Sequence, residues 1–249
     1  MLHVAVGQCG GQLQEQFWRL AATEFGTGTL EPSLPAVASA GPRPEASLPA
    51  NPLYDAWGFA NAVLVDSEPK VVQPLVDTSS RLCIPEPDVY GPRQYRGNNW
   101  AWGYHMGRLH GSPAVPLWER AVDTVRKKLE AADAGRDLSV WHSVGGGTGS
   151  GLGSRLLVEL RDRHPKTNLL SIAVTPHRRG ETPLQHYNSM LCLYNVQQHA
   201  DACVLVDNDS VFEQVAALQS KPASGGPPRV STWDMNAAIS QTLAGLLFP

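Results

Sequence analysis

The sequence predicts an α/β protein with a doubly wound, mostly parallel sheet of six strands. Short apolar runs with the length of buried strands alternate with longer segments whose apolar residues recur at helical spacing. Gly, Asn, Asp and Glu residues follow directly after most of these runs, and α/β sheets bind ligands at the carboxyl ends of their strands. The 249 residues, 42% of them hydrophobic, are sufficient for one such domain with a sizeable core.

The most distinctive stretch is a glycine-rich run between a strand pattern and a helix pattern. Residues 138–144 alternate as a buried strand does, six glycines then fall between Gly145 and Gly153, and apolar residues from Leu152 to Arg163 predict a helix. Glycine lets backbone N–H groups approach an anion, and the following helix N-terminus adds unpaired donors. With the hydroxyl groups of Thr148 and Ser150, this arrangement predicts a site for a di- or triphosphate.

Two common phosphate-binding motifs do not match this run. The P-loop pattern needs a lysine that is missing here, and the dinucleotide fingerprint is out of register and would be expected after the first strand. A flexible Gly/Ser linker is the other explanation, but linkers rarely stand between a strand and a helix.

The first part of the chain predicts a strand, a helix and a loop. Leu2 to Val6 is a short apolar strand, and Gln8 to about Glu24 has an apolar helical face. Proline, glycine, alanine and serine dominate residues 27–56, which predicts a surface loop. Cys9 has no neighbouring histidine or lysine, so a packed core thiol is an alternative to a ligand contact.

Two carboxylates follow the second predicted strand, Asn61 to Val65. Asp66 and Glu68 would repel a polyphosphate unless a cation lies between them, and hydrated Mg²⁺ binds to few carboxylates, to water and to phosphate oxygens. The alternative is that one of them caps a helix from Lys70 to Val76. Both roles are compatible.

The middle of the chain predicts an irregular segment followed by a strong helix. Residues 81–96 are rich in proline, and residues 97–99 then offer a permissive glycine and two side-chain amides. Trp100 and Trp102 are expected to pack in the interior. Pro116 to Ala132 predicts a helix with an apolar face at Trp118, Val122, Val125 and Leu129.

The last third of the chain predicts two strands and three helices. The strands are Asn168 to Val174 and Ala202 to Val206; the helices are Thr182 to His199, Ser210 to Leu218 and Thr232 to Leu247. We expect Leu184, Tyr187, Leu191 and Tyr194 to face inward, and an exposed apolar surface around Leu243, Leu246 and Phe248. Residues 219–230 are rich in Gly and Pro and predict a linker.

Composition argues against several classes of protein. The net charge of −3 provides no basic surface for nucleic acid. No apolar run approaches the roughly eighteen residues of a membrane span, and no secretory signal is evident at the N-terminus. The four cysteines lack paired spacing, as in reduced cytosolic proteins. The histidines show neither metal-ligand spacing nor a serine–histidine–aspartate arrangement.

Six stretches resemble, in order, the nucleotide-binding motifs of the tubulin superfamily. They are Gly7-Gln-Cys-Gly-Gly-Gln12, Val63-Leu-Val-Asp-Ser-Glu-Pro-Lys70, Gly97-Asn-Asn-Trp-Ala-Trp-Gly103, Gly145-Gly-Gly-Thr-Gly-Ser-Gly151, Tyr187-Asn188 and Val206-Asp-Asn-Asp209. The last two resemble the later contacts with the base and the sugar. The resemblance implies a Rossmann-like GTPase domain of the tubulin/FtsZ type over residues 1–249. It also implies that this sequence is the N-terminal half of a tubulin, without the intermediate and C-terminal domains.

The resemblance implies a site for GTP or GDP with Mg²⁺. Glu68, with Asp66, would hold the metal ion through water. The phosphates, sugar and guanine base would be contacted by Gln8, Cys9, Gln12, Asn98, Ser143, Gly145, Gly146, Gly147, Thr148, Gly149, Glu181, Asn208 and Asn236. Two positions depart from the family pattern: Gly11 replaces an asparagine, and Thr232 stands where tubulins stack an aromatic ring on the base.

Details of the motifs are most similar to delta-tubulin, with zeta- and epsilon-tubulin as alternatives. This implies a GTP-binding structural protein of the microtubule cytoskeleton, in the cytoplasm and at the centriole or basal body. Its expected partners are other tubulin subunits, joined head to tail, and centriole or basal-body components, with GTP hydrolysis dependent on a neighbouring subunit. The other interpretations are a scaffold that has lost nucleotide binding and, less favoured by the motifs, a Rossmann oxidoreductase.

Overall fold

A computed structural model describes residues 1–25, 52–55, 59–68, 89–90, 97–105, 115–132, 137–178, 180, 182–219 and 229–248. The strands are β1 (Leu2–Val6), β2 (Ala62–Val65), β3 (Val89–Tyr90), β4 (Leu138–Ser143), β5 (Leu169–Val174) and β6 (Ala202–Val206). The α-helices are α1 (Gly7–Glu24), α2 (Trp100–Tyr104), α3 (Leu117–Ala131), α4 (Gly153–Arg163), α5 (Gln185–His199), α6 (Asn208–Leu218) and α7 (Thr232–Leu247). A π-helical turn, Thr148–Leu152, precedes α4.

The strands form one parallel sheet in the order β3-β2-β1-β4-β5-β6. The chain therefore begins in the middle of the sheet, moves to one edge, and returns to build the other half from β4 outward. The loops that follow β1 and β4 lead to opposite faces, and the crevice between them is where doubly wound sheets bind ligands. The predicted fold class is confirmed.

The sheet carries a hydrophobic core on each face. On one face, α3, α4 and α5 cover the side chains of Val4, Val63 and Val140. On the other face, α1 and α7 cover Ala5, Leu64 and Trp141. Strands buried on both faces read as continuous apolar runs, which explains why their positions could be predicted from hydrophobicity. None of the helices that the structure describes is long and apolar enough to cross a membrane.

Two short elements were not predicted from the sequence. Val89 and Tyr90 pair in parallel with Leu64 and Val65, so residues 81–96 contain an edge strand. Helix α2 begins directly after Asn99, whose side chain accepts a hydrogen bond from the backbone N–H of Ala101. A two-residue strand and a five-residue helix are too short to show a hydrophobic period, so tertiary contacts decide them.

Helix α5 buries a different face from the predicted one. Leu184, Tyr187, Leu191 and Tyr194 are 40%, 65%, 38% and 62% exposed. The buried side chains are instead Gln185, Asn188, Cys192, Asn195 and Val196. The prediction was wrong because the inner side of α5 covers loop backbones as well as apolar strands, and loop backbones need polar partners.

Three further expectations for packing were wrong. Trp102 is 54% exposed, whereas Trp100 packs against the core. Leu243 is buried between α7 and α1, so the exposed apolar surface predicted there is reduced to Leu246 and part of Phe248. Leu53 lies inside the predicted surface loop but is buried. Its carbonyl accepts a hydrogen bond from the backbone N–H of Asn61, and its side chain belongs to the same core as those of α1. The rest of that loop up to residue 51, the helix predicted at 70–76, and linker residues 220–228 lie outside the described residues.

Candidate functional site

A cleft of about 1060 Å³ opens at the carboxyl ends of the strands. Most of its described lining comes from the segments that follow β1, β2, β4, β5 and β6. Of the residues proposed from the sequence, it brings together Gln8, Cys9, Gln12, Asp66, Glu68, Asn98, Ser143, Gly145, Gly146, Gly147, Thr148, Gly149, Asn208 and Asn236. Glu181, the predicted sugar contact, lies outside the described residues.

Helix α4 begins within one residue of its predicted start at Leu152, and a π-helical turn that was not predicted extends it back into the glycine run. The π-helical turn starts at Thr148 and passes directly into α4 at Gly153. Such turns are rare and occur frequently at functional sites. Ser150, predicted as a donor to the anion, is buried and donates to the carbonyl of Gly146 in the preceding turn. The N-terminal end of this helix thus faces the cleft, while Ser150 does not contribute a donor.

The glycines of the run serve two purposes. A Cβ on Gly147 would lie closer than 3.0 Å to the Gly97 carbonyl oxygen and the Asn99 nitrogen, so the backbone of residues 97–99 packs directly on this residue. A Cβ on Gly146 would meet only the Ser143 hydroxyl oxygen, at 3.5 Å, and Gly146 lines the cleft. Gly146 is therefore open to a ligand, whereas Gly147 is required for the contact between two loops.

The loop after β1 also depends on a glycine. Gly7 has φ of 75°, a left-handed conformation that favours glycine. A Cβ at Gly7 would lie 3.0 Å from the Gly149 nitrogen, so the first turn of α1 and the glycine run are in close contact. The N-termini of α1 and of the helix after β4 consequently point into the same cleft, where both favour an anion.

The two carboxylates after β2 lie on the wall of the cleft. Asp66 is 2% exposed, and its Oδ1 accepts a 2.9 Å hydrogen bond from the Glu68 N–H. Its Oδ2 is buried without a hydrogen-bond partner among the described residues. Burial, with a smaller contribution from the nearby Glu68 carboxylate, raises the pKa of Asp66 to about 6 against the opposing effect of backbone hydrogen bonds. A buried carboxylate oxygen without a partner is expected where a cation binds.

Magnesium fits this pair of carboxylates. Among the described residues, no group of three or more His, Cys, Asp or Glu side chains is placed to hold a metal ion. Mg²⁺ does not need such a group, because it is commonly held by one or two carboxylates, water and substrate phosphates. The Asp66–Glu68 hydrogen bond also resembles a local capping turn, so the alternative structural role remains compatible with the geometry.

Side-chain amides line the part of the cleft between α1 and α7. Asn236 is 9% exposed and donates to Gln12 Oε1 at 3.4 Å, which places the two amides side by side. Gln8 is exposed at the start of α1. Cys9 packs beside the core, and burial raises the pKa of its thiol to about 12, so the thiol stays protonated and unreactive.

The wall after β5 and β6 is held by Asp209. Its carboxylate accepts from His177 Nδ1 at 3.0 Å and from the Arg178 backbone N–H at 2.9 Å. The hydrogen bond from His177, more than the other contacts, lowers the pKa of Asp209. Arg178 is 83% exposed and pairs with the same carboxylate at 3.7 Å. Asn208, one residue earlier, lines the cleft beside this loop.

Several lining residues were not identified from the sequence. Phe212 and Met235 both line the cleft, in addition to Thr175 and His177 of the loop that the sequence predicts to hold the sugar. Phe212 lies one helical turn after Asn208, so the helical period of α6 was a usable signal that these two side chains share a face. No signal in the sequence indicated the role of Ser67, whose hydroxyl oxygen lies 2.5 Å from that of Thr148.

Two predicted contacts with the base or sugar lie elsewhere. Tyr187 is on the exposed face of α5, and Asn188 is buried behind the loops; neither is part of the lining of the cleft. Trp233 lines a smaller adjoining pocket with Gln12 and Asn236, and the Arg19 guanidinium lies 5.7 Å from its ring centroid. Thr232 does line the cleft, so the position at which tubulins carry an aromatic ring holds a short polar side chain.

Fold and cleft together define the class of protein: a doubly wound α/β domain with two helix N-termini and a glycine-rich turn directed at a ligand cleft. Residues 1–216 match the Tubulin/FtsZ family, GTPase domain. The chain belongs to this family.

Several beta-tubulins are similar to this chain. The tubulin beta-1 chain of Mus musculus is 30% identical over 259 residues, covering 99% of this chain and 52% of its own length. The tubulin beta-3 chain of Zea mays is 29% identical over 254 residues, with the same coverage. The tubulin beta-1 chain of Homo sapiens is 29% identical over 250 residues, again covering 99% of this chain and 52% of its own length. The chain therefore spans about half the length of the curated relatives it matches.

Proposed function

We propose that this chain binds GTP or GDP together with Mg²⁺ in the cleft at the carboxyl ends of its strands. The observation that carries the proposal is the meeting of three kinds of group at one place. The glycine run and two helix N-termini favour phosphate, the buried Asp66 oxygen favours a cation, and the amides of Gln12, Asn208 and Asn236 can pair with a base.

Each group has a defined task in this proposal. Backbone N–H groups from Gly145 to Gly149 would bind the phosphates, with Gly146 the most open to them. Asp66 and Glu68 would hold Mg²⁺ through water, and the ion would neutralise charge on the phosphates. An asparagine amide both donates and accepts, as the edge of guanine requires, so Asn208 and Asn236 are proposed for the base. Glu181 is proposed for the sugar.

The biological role that we propose is structural. The family and the beta-tubulin relatives support a microtubule-type protein of the cytoskeleton that assembles head to tail with other tubulin subunits. We propose that residues 1–249 act as one GTP-binding domain and that hydrolysis of GTP requires a neighbouring subunit. The isolated chain should then bind nucleotide with little or no turnover.

A more specific assignment rests on three motifs. Residues 66–70, 98–104 and 185–189 resemble delta-tubulin and its close relative zeta-tubulin, and we propose on this basis a role in the assembly or maintenance of centriole or basal-body microtubules. Localisation of the tagged protein in a ciliated cell tests this assignment; a signal distributed along all microtubules and absent from centrioles would contradict it.

Nucleotide binding itself is tested on the purified chain. Extracted nucleotide is identified by chromatography, and the affinities for GTP, GDP and ATP are measured by calorimetry with and without Mg²⁺. We expect guanine nucleotides to bind, ATP to bind more weakly, and Mg²⁺ to strengthen GTP binding. Absence of binding to any guanine nucleotide would favour the scaffold interpretation. Rapid GTP hydrolysis by the monomer in a single-turnover assay would contradict the need for a neighbouring subunit.

A further inference from the structure

Asn188 on α5 joins the two loops that line the phosphate side of the cleft. Its Nδ2 donates to the Gly145 carbonyl and to the Asn98 carbonyl, both at 2.9 Å, and its Oδ1 accepts from the Trp100 backbone N–H at 3.0 Å. The side chain is 2% exposed. One carboxamide thus satisfies three backbone groups from segments that are 43 to 90 positions away in the sequence.

These backbone groups cannot be satisfied within their own elements. Trp100 is the first residue of α2, and the first N–H groups of a helix have no partner inside it. Gly145 follows the end of β4, at the point where the chain leaves the sheet. Because a buried backbone group without a partner destabilises the fold, this junction requires a side chain that both donates and accepts. Among the common side chains, asparagine provides both within a short, rigid group.

Asn188 supports the loops that line the cleft but does not line the cleft itself. Gly145 and Asn98 line the cleft, whereas Asn188 lies behind them. The same two loops are also in direct backbone contact at Gly147, where a Cβ would collide with Gly97 and Asn99. The relative position of these loops therefore depends on this amide together with close backbone contacts at Gly147 and Gly151.

We propose that Asn188 is a positioning residue for polyphosphate binding: it holds the Gly97–Trp100 segment against the glycine run so that both face the same phosphate groups. This inference rests on the proposed nucleotide function, and it assigns to Asn188 a support role in place of the contact with base or sugar expected from the sequence. A substitution at Asn188 should act on affinity through the loops, without removing any group that touches the ligand.

Helix α5 offers a matched control. Asn195 is also a buried asparagine, two turns further along the helix, but its Nδ2 donates at 2.8 Å to the Leu191 carbonyl of the same helix. Asn188→Ala and Asn195→Ala each remove a buried amide from α5, and only the first disconnects the loops. Asn188→Asp is a third variant, because it keeps the acceptor for Trp100 but loses both donated bonds.

The test has two independent measurements. Amide exchange at Trp100 is followed on nucleotide-free protein, and the affinity for GTP is measured on the same variants. We expect Asn188→Ala to speed exchange of the Trp100 backbone amide. It should also weaken GTP binding about tenfold, because the hydrogen bonds that hold the two loops together are lost. Asn195→Ala should leave both unchanged at a comparable midpoint of denaturant unfolding. Asn188→Asp should weaken GTP binding while keeping Trp100 protected.

The outcomes distinguish this inference from the proposed function. Equal losses of GTP affinity in Asn188→Ala and Asn195→Ala would show that Asn188 acts only on stability and would overturn the inference. Unchanged exchange at Trp100 in Asn188→Ala would also overturn it, whether or not GTP binds. Faster exchange in a chain that binds no guanine nucleotide would overturn the nucleotide proposal, and with it the functional role of Asn188. If Asn188→Ala does not fold, Asn188→Asp carries the affinity measurement: weaker GTP binding with Trp100 still protected is the expected result, and unchanged GTP affinity would overturn the inference.

Discussion

The hydroxyl oxygens of Ser67 and Thr148 lie 2.5 Å apart, although 81 positions separate the two residues in the chain. Ser67 is fully buried between Asp66 and Glu68, and Thr148 is the first residue of the π-helical turn. This hydrogen bond joins the wall that carries the carboxylates to the turn that faces the phosphates. A metal ion and a phosphate bound to these two segments would thereby be kept at a fixed separation.

Removal of the Ser67 hydroxyl should therefore change the effect of Mg²⁺ on GTP affinity more than removal of a buried hydroxyl elsewhere. We expect Ser67→Ala to lower the free energy of unfolding by about 1–2 kcal/mol and to reduce the effect of Mg²⁺ on GTP affinity. Ser240→Ala is the control, because Ser240 is buried and donates at 3.0 Å to the Leu13 carbonyl, between α7 and α1. The same Mg²⁺ dependence in both variants would show that the Ser67 bond is not coupled to metal binding.

Gly146 and Gly147 should respond in opposite ways to the same substitution. Gly147→Ala places a methyl group against the backbone of residues 97–99 and should destabilise the fold by about 1–3 kcal/mol. Gly146→Ala has room for its methyl group and should change stability by less than about 1 kcal/mol, but the methyl group lines the cleft and should weaken GTP binding. Thermal unfolding and calorimetry on both variants check this. A Gly147→Ala protein as stable as the parent would contradict the loop contact.

Asp66→Asn should stabilise the nucleotide-free chain and impair its use of Mg²⁺. The native pKa of about 6 is above the ordinary value of 3.8, so the ionised carboxylate disfavours the folded state at neutral pH, and this penalty declines as pH falls below 6. A neutral amide removes the penalty, and the free energy of unfolding at pH 7 should rise by roughly 1–3 kcal/mol. Exposed Asp162→Asn is the control. If Asp66→Asn retains the full Mg²⁺ dependence of GTP binding, Asp66 does not hold the metal.

Introduction of an aromatic ring at residue 232 should strengthen GTP binding. Thr232 lines the cleft beside Asn236, and Trp233 does not line it. We expect Thr232→Tyr to strengthen GTP binding by roughly threefold to tenfold, because an aromatic ring can stack on the base. Trp233→Ala, which removes a ring outside the cleft, should leave the affinity within about twofold. A stronger effect of Trp233→Ala than of Thr232→Tyr would place the base next to Trp233.

Two buried histidines should make the fold sensitive to acid. His142 and His3 are 0% and 1% exposed, and burial lowers their pKa values to about 4 and about 3. The unfolded chain binds protons near the ordinary value of 6.5, before the native state does. Stability is therefore complete above that pH and falls as pH decreases toward 4, by roughly 2 kcal/mol per histidine at about pH 5.

Denaturant unfolding from about pH 7.5 to about pH 5 measures this effect. His142→Gln should flatten the decline, and exposed His186→Gln should not. The comparison is made between variants because Asp66 changes stability in the opposite direction over the same interval. If His142→Gln does not fold, His3→Gln replaces it. Parallel curves for the parent and the histidine variants would show that neither buried histidine governs acid sensitivity.

The long elements could be predicted from the sequence because their residues follow a regular period. The strands β1 and β2 and the helices α3 and α7 lie within a residue or two of their expected bounds, and Trp118, Val122, Val125 and Leu129 are buried as expected. β3 could not be predicted, because two residues show no period and their strand exists only by pairing with β2. The prediction for the inner face of α5 was wrong for a related reason, because hydrophobicity does not show which positions must form hydrogen bonds.

By itself, the sequence determined the order of strand, glycine run and helix, and the set of glycines, amides and carboxylates that follow the strands. These are local properties, set by composition and spacing. Only the tertiary structure decided which glycine faces a ligand and which faces another loop, and that Asn188 and Ser67 join segments that are distant in the chain. Such contacts depend on how strands are ordered in the sheet, because that order brings the ends of β1, β2 and β4 to one edge, whatever their separation in sequence.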